Sequence, residues 1–339
     1  MQKQLADEIV ACLQGERTVY PYYRDRYGIG LLRHHCRQQP GQRAVVAALR
    51  RSAYAGLLEK PRLKQVLAHC AGSLDEALLC AVDYDPAQTP FILNLALWGD
   101  DCRRDWRWQQ TSRPGVNLVL QLNFSGEHER LYRPLGSVDH LFNRYGHPVA
   151  RQRHTLAWAR IDIDWASGAA LIEEIQTDWL RQAANLEIWL EQRRQTGAGD
   201  QEEVMYRRQP LRPVPALAYC RHLRERYQPI WAEAMLWAAI AFLREEIGLT
   251  RLYYHSEASG RLLKRITWSA PPRSLYTDLP RRFCFQPTTE WPDFLLANRA
   301  NATLRRQHPG VGMFRLPFQH SELTGAARRY RAASSGPKG

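Results

Sequence analysis

Residues 155–179 constrain the fold more than any other stretch of this chain. Thr155 to Asp164 and Ala169 to Gln176 are apolar-rich runs of strand length. Between them Ala166-Ser167-Gly168 supplies a glycine for the positive φ of a tight turn, so the pair reads as a β-hairpin. Strand side chains alternate between faces, which groups Arg160, Asp162 and Asp164 against Ile161, Ile163 and Trp165 on the first strand. On the second, Glu174, Gln176 and Asp178 share a face if the extended geometry persists. That strand ends in Glu173-Glu174-Ile175-Gln176-Thr177-Asp178-Trp179 and leads straight into a helical sequence. A carboxylate stripped of water without a partner costs several kcal/mol, so a strand end this rich in carboxylates and amides must give them partners. Open α/β sheets place their ligands at such C-terminal edges, and the run marks the expected site.

The neighbouring segments extend the plan. Phe91 to Trp98 reads as a buried strand, and Leu118, Leu120, Leu122 and Phe124 alternate with Val119, Gln121 and Asn123 as in a half-buried one. Asp100 to Pro114, rich in Arg and Trp, is a polar loop between them. After Trp179 a helix runs to about Gln195, and Thr196 to Pro215 has no clear period and reads as an exposed insertion. Trp231 to Glu246 is apolar almost all round, a helix that must be covered on most sides. Arg251 to His255 follows as a strand, and Ser256-Glu257-Ala258-Ser259 can cap a short helix through Ile266. The helix from Trp231 has crossover length, which makes strands 169–176 and 251–255 parallel neighbours. Phe283 to Phe285 and Met313 to Phe318 are candidate last strands around a helix near 294–306. The fold class is therefore α/β (α+β), a mixed central sheet with a βαβ core.

Residues 1–88 read as an N-terminal helical module: Leu5, Ile9 and Leu13 keep helical spacing, Pro61 suits a first helical turn, and Ser73 to Glu76 has the form of a capping box. Tyr20 to Tyr27, aromatic and basic, would stack a ring ligand or pack this module onto its neighbour. The mixed α/β domain is expected over 89–320, with a disordered basic tail over 321–339.

Charge leaves two options open. The net charge of +13 permits nucleic acid or another polyanion as partner, yet only five of the 47 cations are Lys, and the Arg residues are spread along the chain as codon composition alone would spread them. The seven Cys are odd in number and scattered, which suits reduced thiols in a cytoplasm. His34-His35-Cys36 lacks a second ligand pair at a suitable spacing, so no metal site is expected. The longest apolar run, Ala234 to Leu243, is too short to span a bilayer. With no visible signal peptide, a cytoplasmic protein without a membrane partner is expected.

At the shared strand edge, Glu174, Gln176 and Asp178 would meet His255 and Glu257 beside a short helix carrying Arg261, Lys264 and Arg265. Carboxylates and an imidazole converging there support general acid–base work. The alternative is architectural: Glu173 and Glu174 pair with Arg160 or helix cations, and His255 caps backbone groups.

Two resemblances bear on these residues. Glu173 to Trp179 (EEIQTDW), the helix opening at Trp231, RLYYHSEASGRLLKRI (251–266) and SLYTDLPRRF (274–283) resemble a segment of the polyvalent proteins of phages and mobile elements. Those carry an EIQSDW element, a Trp-led helix, a strand and a Tyr-Asp-x-x-Leu-Pro-like element in that order. This resemblance covers roughly residues 155–286 and implies no agreed activity. The order hairpin, crossover helix, strand, short helix also resembles the GNAT superfamily of N-acetyltransferases. That likeness implies two splayed parallel strands and an acyl-CoA cofactor, its pyrophosphate at the crossover helix's N-terminus through a Gln/Arg-x-x-Gly-x-Gly/Ala loop. Arg194-Gln195-Thr196-Gly197-Ala198-Gly199 matches those letters, but it follows a helix, precedes Asp200-Gln201-Glu202-Glu203 and lies far from Trp231, so the phosphate role is in doubt.

Together these readings imply a GNAT-like group-transfer enzyme acting on an amine or nucleobase-like acceptor. Glu174 would be the general base and Tyr276 a general acid, with His255 and Glu257 at the reacting edge. Glu173, Gln176, Asp178 and Trp179 would shape the pocket, and Arg261 and Arg265 would hold an anionic group. The rival is a non-catalytic nucleic-acid-binding protein of mobile elements. A toxin-like nucleotide-using enzyme is a third class, without a recognised motif behind it.

Overall fold

Alternating apolar residues over 89–176 build the middle of one large sheet, and the rest of the chain covers its two faces. The computed structural model describes residues 1–12, 18–99, 110–136, 141–143, 146–150, 153–197, 202–266 and 272–317. The N-terminal part contains α1 (Lys3–Cys12), β1 (Thr18–Tyr22), α2 (Arg26–Arg37), β2 (Arg43–Val45), α3 (Val46–Leu49), α4 (Pro61–His69), β3 (Ser73–Asp75) and α5 (Glu76–Ala81). The sheet's centre is β4 (Thr89–Trp98), β5 (Asn117–Phe124), then α6 (Gly126–Tyr132), β6 (Thr155–Asp164) and β7 (Ala169–Gln176). There follow α7 (Trp179–Gln195), β8 (Val204–Tyr206), β9 (Gln209–Leu211), α8 (Pro213–Arg226) and α9 (Trp231–Ala241). The chain closes with β10 (Arg251–Tyr254), α10 (Glu257–Lys264), α11 (Leu279–Arg282), β11 (Gln286–Thr288), α12 (Asp293–Leu296), α13 (Arg299–Gln307) and β12 (Met313–Arg315).

The main sheet has eight strands in the order β1-β4-β5-β6-β7-β10-β12-β11. All its pairs are antiparallel except β7 with β10, which run parallel from Arg251 beside Ala169 to Tyr254 beside Ile172. The chain is thus a mixed α/β protein, and its parallel pair is the one expected from the sequence. Gly168 turns the β6–β7 hairpin with φ 64°. Ser256 caps α10 through a reciprocal box with Ser259.

Several expectations need correction. Three helices, not the two expected after Trp179 and from Trp231, separate β7 from β10, because α8 packs antiparallel to α7 before α9 is reached. The segment 196–215 is not wholly irregular: it holds the β8–β9 hairpin and the start of α8. Residues 1–88 are not purely helical, since β1 is the edge strand of the main sheet and β2 and β3 form their own hairpin. The cap before α5 is Asp75, whose carboxylate accepts the Leu78 N–H at 2.8 Å, while Ser73 lies in β3. Phe283 to Phe285 are not a strand: β11 begins only at Gln286, and Phe283 is buried beside Tyr27. The expected tail lies outside the described residues, as do most of the polar loop after Gly99 and residues 198–201.

β5 is buried on both faces, not half-buried. Two of its polar positions are tolerated because they have partners: Gln121 donates to the Pro148 carbonyl at 2.9 Å, and the Asn123 amide donates to Asn94 at 3.0 Å and accepts from Thr155 at 2.7 Å. Helix α9 is the central buttress, with Ala234 to Ile240 all buried in the main core. The Tyr20–Tyr27 stretch packs the N-terminal part onto it: Tyr20 donates to the Ala234 carbonyl at 3.0 Å, and Tyr22 to the Glu233 carboxylate at 3.2 Å. On the opposite face Ala169, Leu171 and Tyr253 form a second core with Leu263, Trp291, Phe294, Leu295 and Met313.

Candidate functional site

The site arises where the parallel pair ends. β10 stops opposite Ile172, whereas β7 continues along β6 to Gln176, so the sheet opens at this corner. The β6–β7 register passes from Arg160 opposite Glu174 to Ile161 opposite Ile172, which makes Glu173 the extra residue of a β-bulge. A bulge resets the alternation: Ile172 and Ile175, three positions apart, both join the main core.

Glu173 is completely buried, and its carboxylate is fully engaged. Oε1 accepts the Ser112 N–H at 3.0 Å, and Oε2 accepts the Ser112 hydroxyl at 2.7 Å. His255 Nε2 lies 3.1 Å from Oε2, and the Lys264 ammonium lies 3.6 Å from it while donating to the Glu173 carbonyl at 2.5 Å. Burial alone would raise this carboxyl, but the His255 hydrogen bond and the Lys264 charge hold it well below the usual range. Burial also pushes His255 down, so the imidazole is neutral and serves Glu173 through its N–H rather than through charge. Burial pushes Lys264 down too, against the pull of Glu174 and Glu173. Ser112 lies 2.8 Å from the same His255 Nε2 that faces Glu173. A nucleophilic triad needs serine and carboxylate on opposite ring nitrogens; here Nδ1 faces Ser259 at 2.9 Å instead. The group is a buried brace that locks β7, β10, α10 and the Ser112 loop together.

Beside the brace opens a cleft of ≈ 880 Å³. Its walls are the end of β7, the first turns of α7 and α9, helix α10 and the π-helical turn Ser274–Asp278. Glu174 lines it with a side chain 21% exposed, paired with the buried Arg160 and 3.8 Å from Lys264. Burial opposes ionisation of Glu174, but Arg160 and then Lys264 outweigh it and keep the carboxyl below its ordinary value. Arg160 is itself held by the Gln110 carbonyl at 2.7 Å and by the Trp98 ring at 5.1 Å. Tyr276 also lines the cleft, and burial, followed by the Glu174 charge, raises its hydroxyl well above the usual value. Gln176 lines it as well and donates to Asp178 at 3.1 Å. Arg181, Arg224 and Arg261 line the same cleft with half-exposed side chains. Each has a loose partner: Asp178 at 3.7 Å, Glu187 at 3.4 Å and Glu257 at 3.9 Å respectively.

The structure thus brings Glu174, Gln176, Tyr276 and Arg261 to one cleft and distributes the other expected residues elsewhere. Glu173 and His255 sit behind its wall. Asp178 is nearly buried and held by His147 at 2.6 Å, and Glu257 faces Arg261 at the surface. Arg265 is exposed, with φ 54° at the end of α10, and is not part of the cleft wall. Trp179 is fully buried: its Nε1 donates to the Tyr219 hydroxyl at 2.7 Å, and its ring packs among Phe124, His128, Tyr132 and Phe142. The end of β7 explains these shifts: Glu174 and Gln176 keep the period of two, but the backbone is already helical at Asp178, which takes Asp178 and Trp179 off the strand face. Sequence reasoning passed over Ser112, and gave Lys264 no role of its own. A lysine on the inward side of the amphipathic α10 was the one available signal for the latter.

For an anionic cofactor, the helix N-termini were the expected cradle. The first turn of α9 instead carries Glu233, buried and bound by Arg282, the Tyr22 hydroxyl and the Asp25 N–H, so its dipole is already answered by a carboxylate. Arg194 to Gly197 end α7 away from the cleft wall, and Ala198 and Gly199 lie outside the described residues. His34, His35 and Cys36 engage Glu245, Tyr54 and the Leu74 carbonyl, three separate directions. No helix among the described residues is long and apolar enough to cross a membrane. Comparisons with family models, curated proteins and solved structures returned no match to this chain.

Proposed function

We propose that the cleft is the active site of a group-transfer enzyme of the acyltransferase type, with an amine-bearing acceptor. One observation carries the reading: Glu174 and Tyr276 line one cleft where β7 runs on past the end of its parallel partner β10. Arg160 and Lys264 make Glu174 a weak base, so its role shifts from strong general base to anchor of the acceptor's ammonium or amine N–H. The neutral amine attacks the acyl carbon, the C–N bond forms and the bond to the donor's leaving atom breaks. The proton shed by nitrogen leaves along Glu174 to solvent, while Tyr276 supplies one to the leaving group. The raised Tyr276 hydroxyl stays protonated at working pH and can hydrogen-bond to the leaving atom, giving up its proton only to a leaving group at least as basic as itself.

The rim supports an anionic donor. Surface ion pairs as loose as those of Arg181, Arg224 and Arg261 are worth little, so an anion can displace them at small cost. Acyl-CoA fits that chemistry and the GNAT-like element order. The absence of a glycine loop at the start of α7 means its phosphates would be held by arginine side chains rather than by backbone. The motif order over 155–286 further supports kinship with the polyvalent proteins, which adds no activity of its own. Nucleic-acid binding has only the net charge of +13 behind it, and many described arginines are already paired with carboxylates.

Thermal shift with coenzyme A and acetyl-CoA tests donor binding, and thiol release with a panel of primary amines tests turnover. Ligand at about 100-fold over Kd should add roughly 2.7 kcal/mol to apparent stability. Thiol release should vanish in Tyr276→Phe and Glu174→Gln with folding intact. Turnover unchanged in both variants would sink the assignment.

A further inference from the structure

His128, Glu129 and His154 converge outside the cleft, and we propose that they form a divalent transition-metal site of the zinc class. The candidate ligand atoms of the three residues lie within 4.8 Å of one another. His128 and Glu129 come from the first turn of α6, and His154 immediately precedes β6, so the site would join the end of β5 to the start of β6. Glu129 Oε1 is 2.8 Å from His154 Nδ1 and 3.8 Å from His128 Nδ1. Zinc bonds of about 2.0–2.2 Å place tetrahedral ligand atoms about 3.4 Å apart, midway between those two separations.

The state of the imidazoles is the second observation. Both Nδ1 atoms are buried and have no hydrogen-bond partner; the 2.8 Å contact of His154 with Glu129 is not aligned as a hydrogen bond. His128 is 1% exposed, so its orphan nitrogen has no water to turn to. Buried polar atoms nearly always find a partner, and two orphans aimed at one carboxylate are what a metal would satisfy. His128 Nε2 lies 2.5 Å from the Tyr219 hydroxyl oxygen. If Nε2 carries the proton and donates to that oxygen, the Nδ1 lone pair is free, the arrangement that outer partners impose on metal-binding histidines. Two imidazoles and a carboxylate suit zinc, cobalt and nickel better than magnesium or calcium. Glu129 is half-exposed, which leaves a fourth position for water. None of the three residues lines the cleft, so the metal's place is to pin α6 and β6 behind the Trp179 cluster rather than to touch the acceptor.

The full chain, stripped with chelator, would be titrated with zinc by calorimetry and with cobalt by visible absorption. One-to-one binding is expected, with a raised melting temperature for wild type. His154→Ala and Glu129→Gln, both at partly exposed positions that preserve the core, should each weaken zinc by at least about 100-fold. Near-ultraviolet circular dichroism confirms that each variant is folded. Absence of stoichiometric zinc binding by wild type overturns the proposal, as does binding unchanged in both variants. A thiolate-to-cobalt charge-transfer band would also overturn it, since that places the metal on cysteine.

Discussion

Replacing Glu173 by Gln removes one charge from a carboxylate that is completely enclosed, while keeping its shape. The amide oxygen can still accept from Ser112, but its NH2 group then faces the hydroxyl of Ser112 or the ring of His255, both 3.1 Å or less from the present Oε2. Lys264, nearly fully buried, loses its carboxylate partner at 3.6 Å and keeps the main-chain carbonyl of residue 173 and, as its remaining counter-charge, Glu174 at 3.8 Å. Breaking a buried pair by removing one member costs about 3–5 kcal/mol, most of it the uncompensated charge left behind. Unfolding entropy of about 2.1 cal/mol/K per residue gives roughly 0.7 kcal/mol/K for a chain of 339 residues. The expected loss is therefore about 4–7 °C in melting temperature by calorimetry. Glu173→Gln combined with Lys264→Met removes the stranded charge, so the double variant should be more stable than the sum of the single losses by about 1–3 kcal/mol. The pH dependence has a definite sign. A carboxyl held below its unfolded value contributes stability above roughly pH 4.3, and that contribution is lost as pH falls through the folded value. Glu173→Gln should flatten the acid limb of the stability curve below about pH 4.3 and leave its neutral shape unchanged. A melting temperature within about 1 °C of wild type, or strictly additive losses in the double variant, would refute the brace.

Glu174→Gln should cost less, about 1–2 kcal/mol by thermal unfolding, because Arg160 keeps the Gln110 carbonyl and the Trp98 ring. Calorimetric binding of an amine acceptor should nevertheless be lost, and retained affinity would return Glu174 to architecture. Trp179→Phe removes the hydrogen bond to Tyr219 and should cost about 1–2 kcal/mol in urea unfolding with cleft ligand affinity unchanged; a selective loss of affinity would put Trp179 back in the pocket. Gly30→Ala would set a Cβ 2.1 Å from the Trp237 ring, so denaturant melts should show a loss of about 1–3 kcal/mol as α2 is levered off α9.

Local chemistry determined much of this molecule. The β6–β7 hairpin, the strands at 91–98, 118–124 and 251–254, the all-round burial of α9 and the Ser256 cap of α10 were legible because each depends on residues within a few positions of one another. The parallel pairing of β7 with β10 was legible too, because a long apolar helix between two strands leaves few other topologies. The place of the site was marked by Glu173 to Asp178, since so many polar groups at a strand end demand partners. Which partners they took was a tertiary matter. Glu174 and Gln176 kept their common face, but the turn into α7 sent Asp178 to His147 and Trp179 into an aromatic core. Ser112 and Lys264 reach Glu173 from 61 and 91 residues away, and no periodicity encodes such distances. The helical reading of the N-terminus failed for the same reason at β1: an edge strand of five residues acquires its conformation from the hydrogen bonds of β4, not from its own pattern. Sequence fixes where a polar group cannot be left alone; only the folded chain decides what answers it.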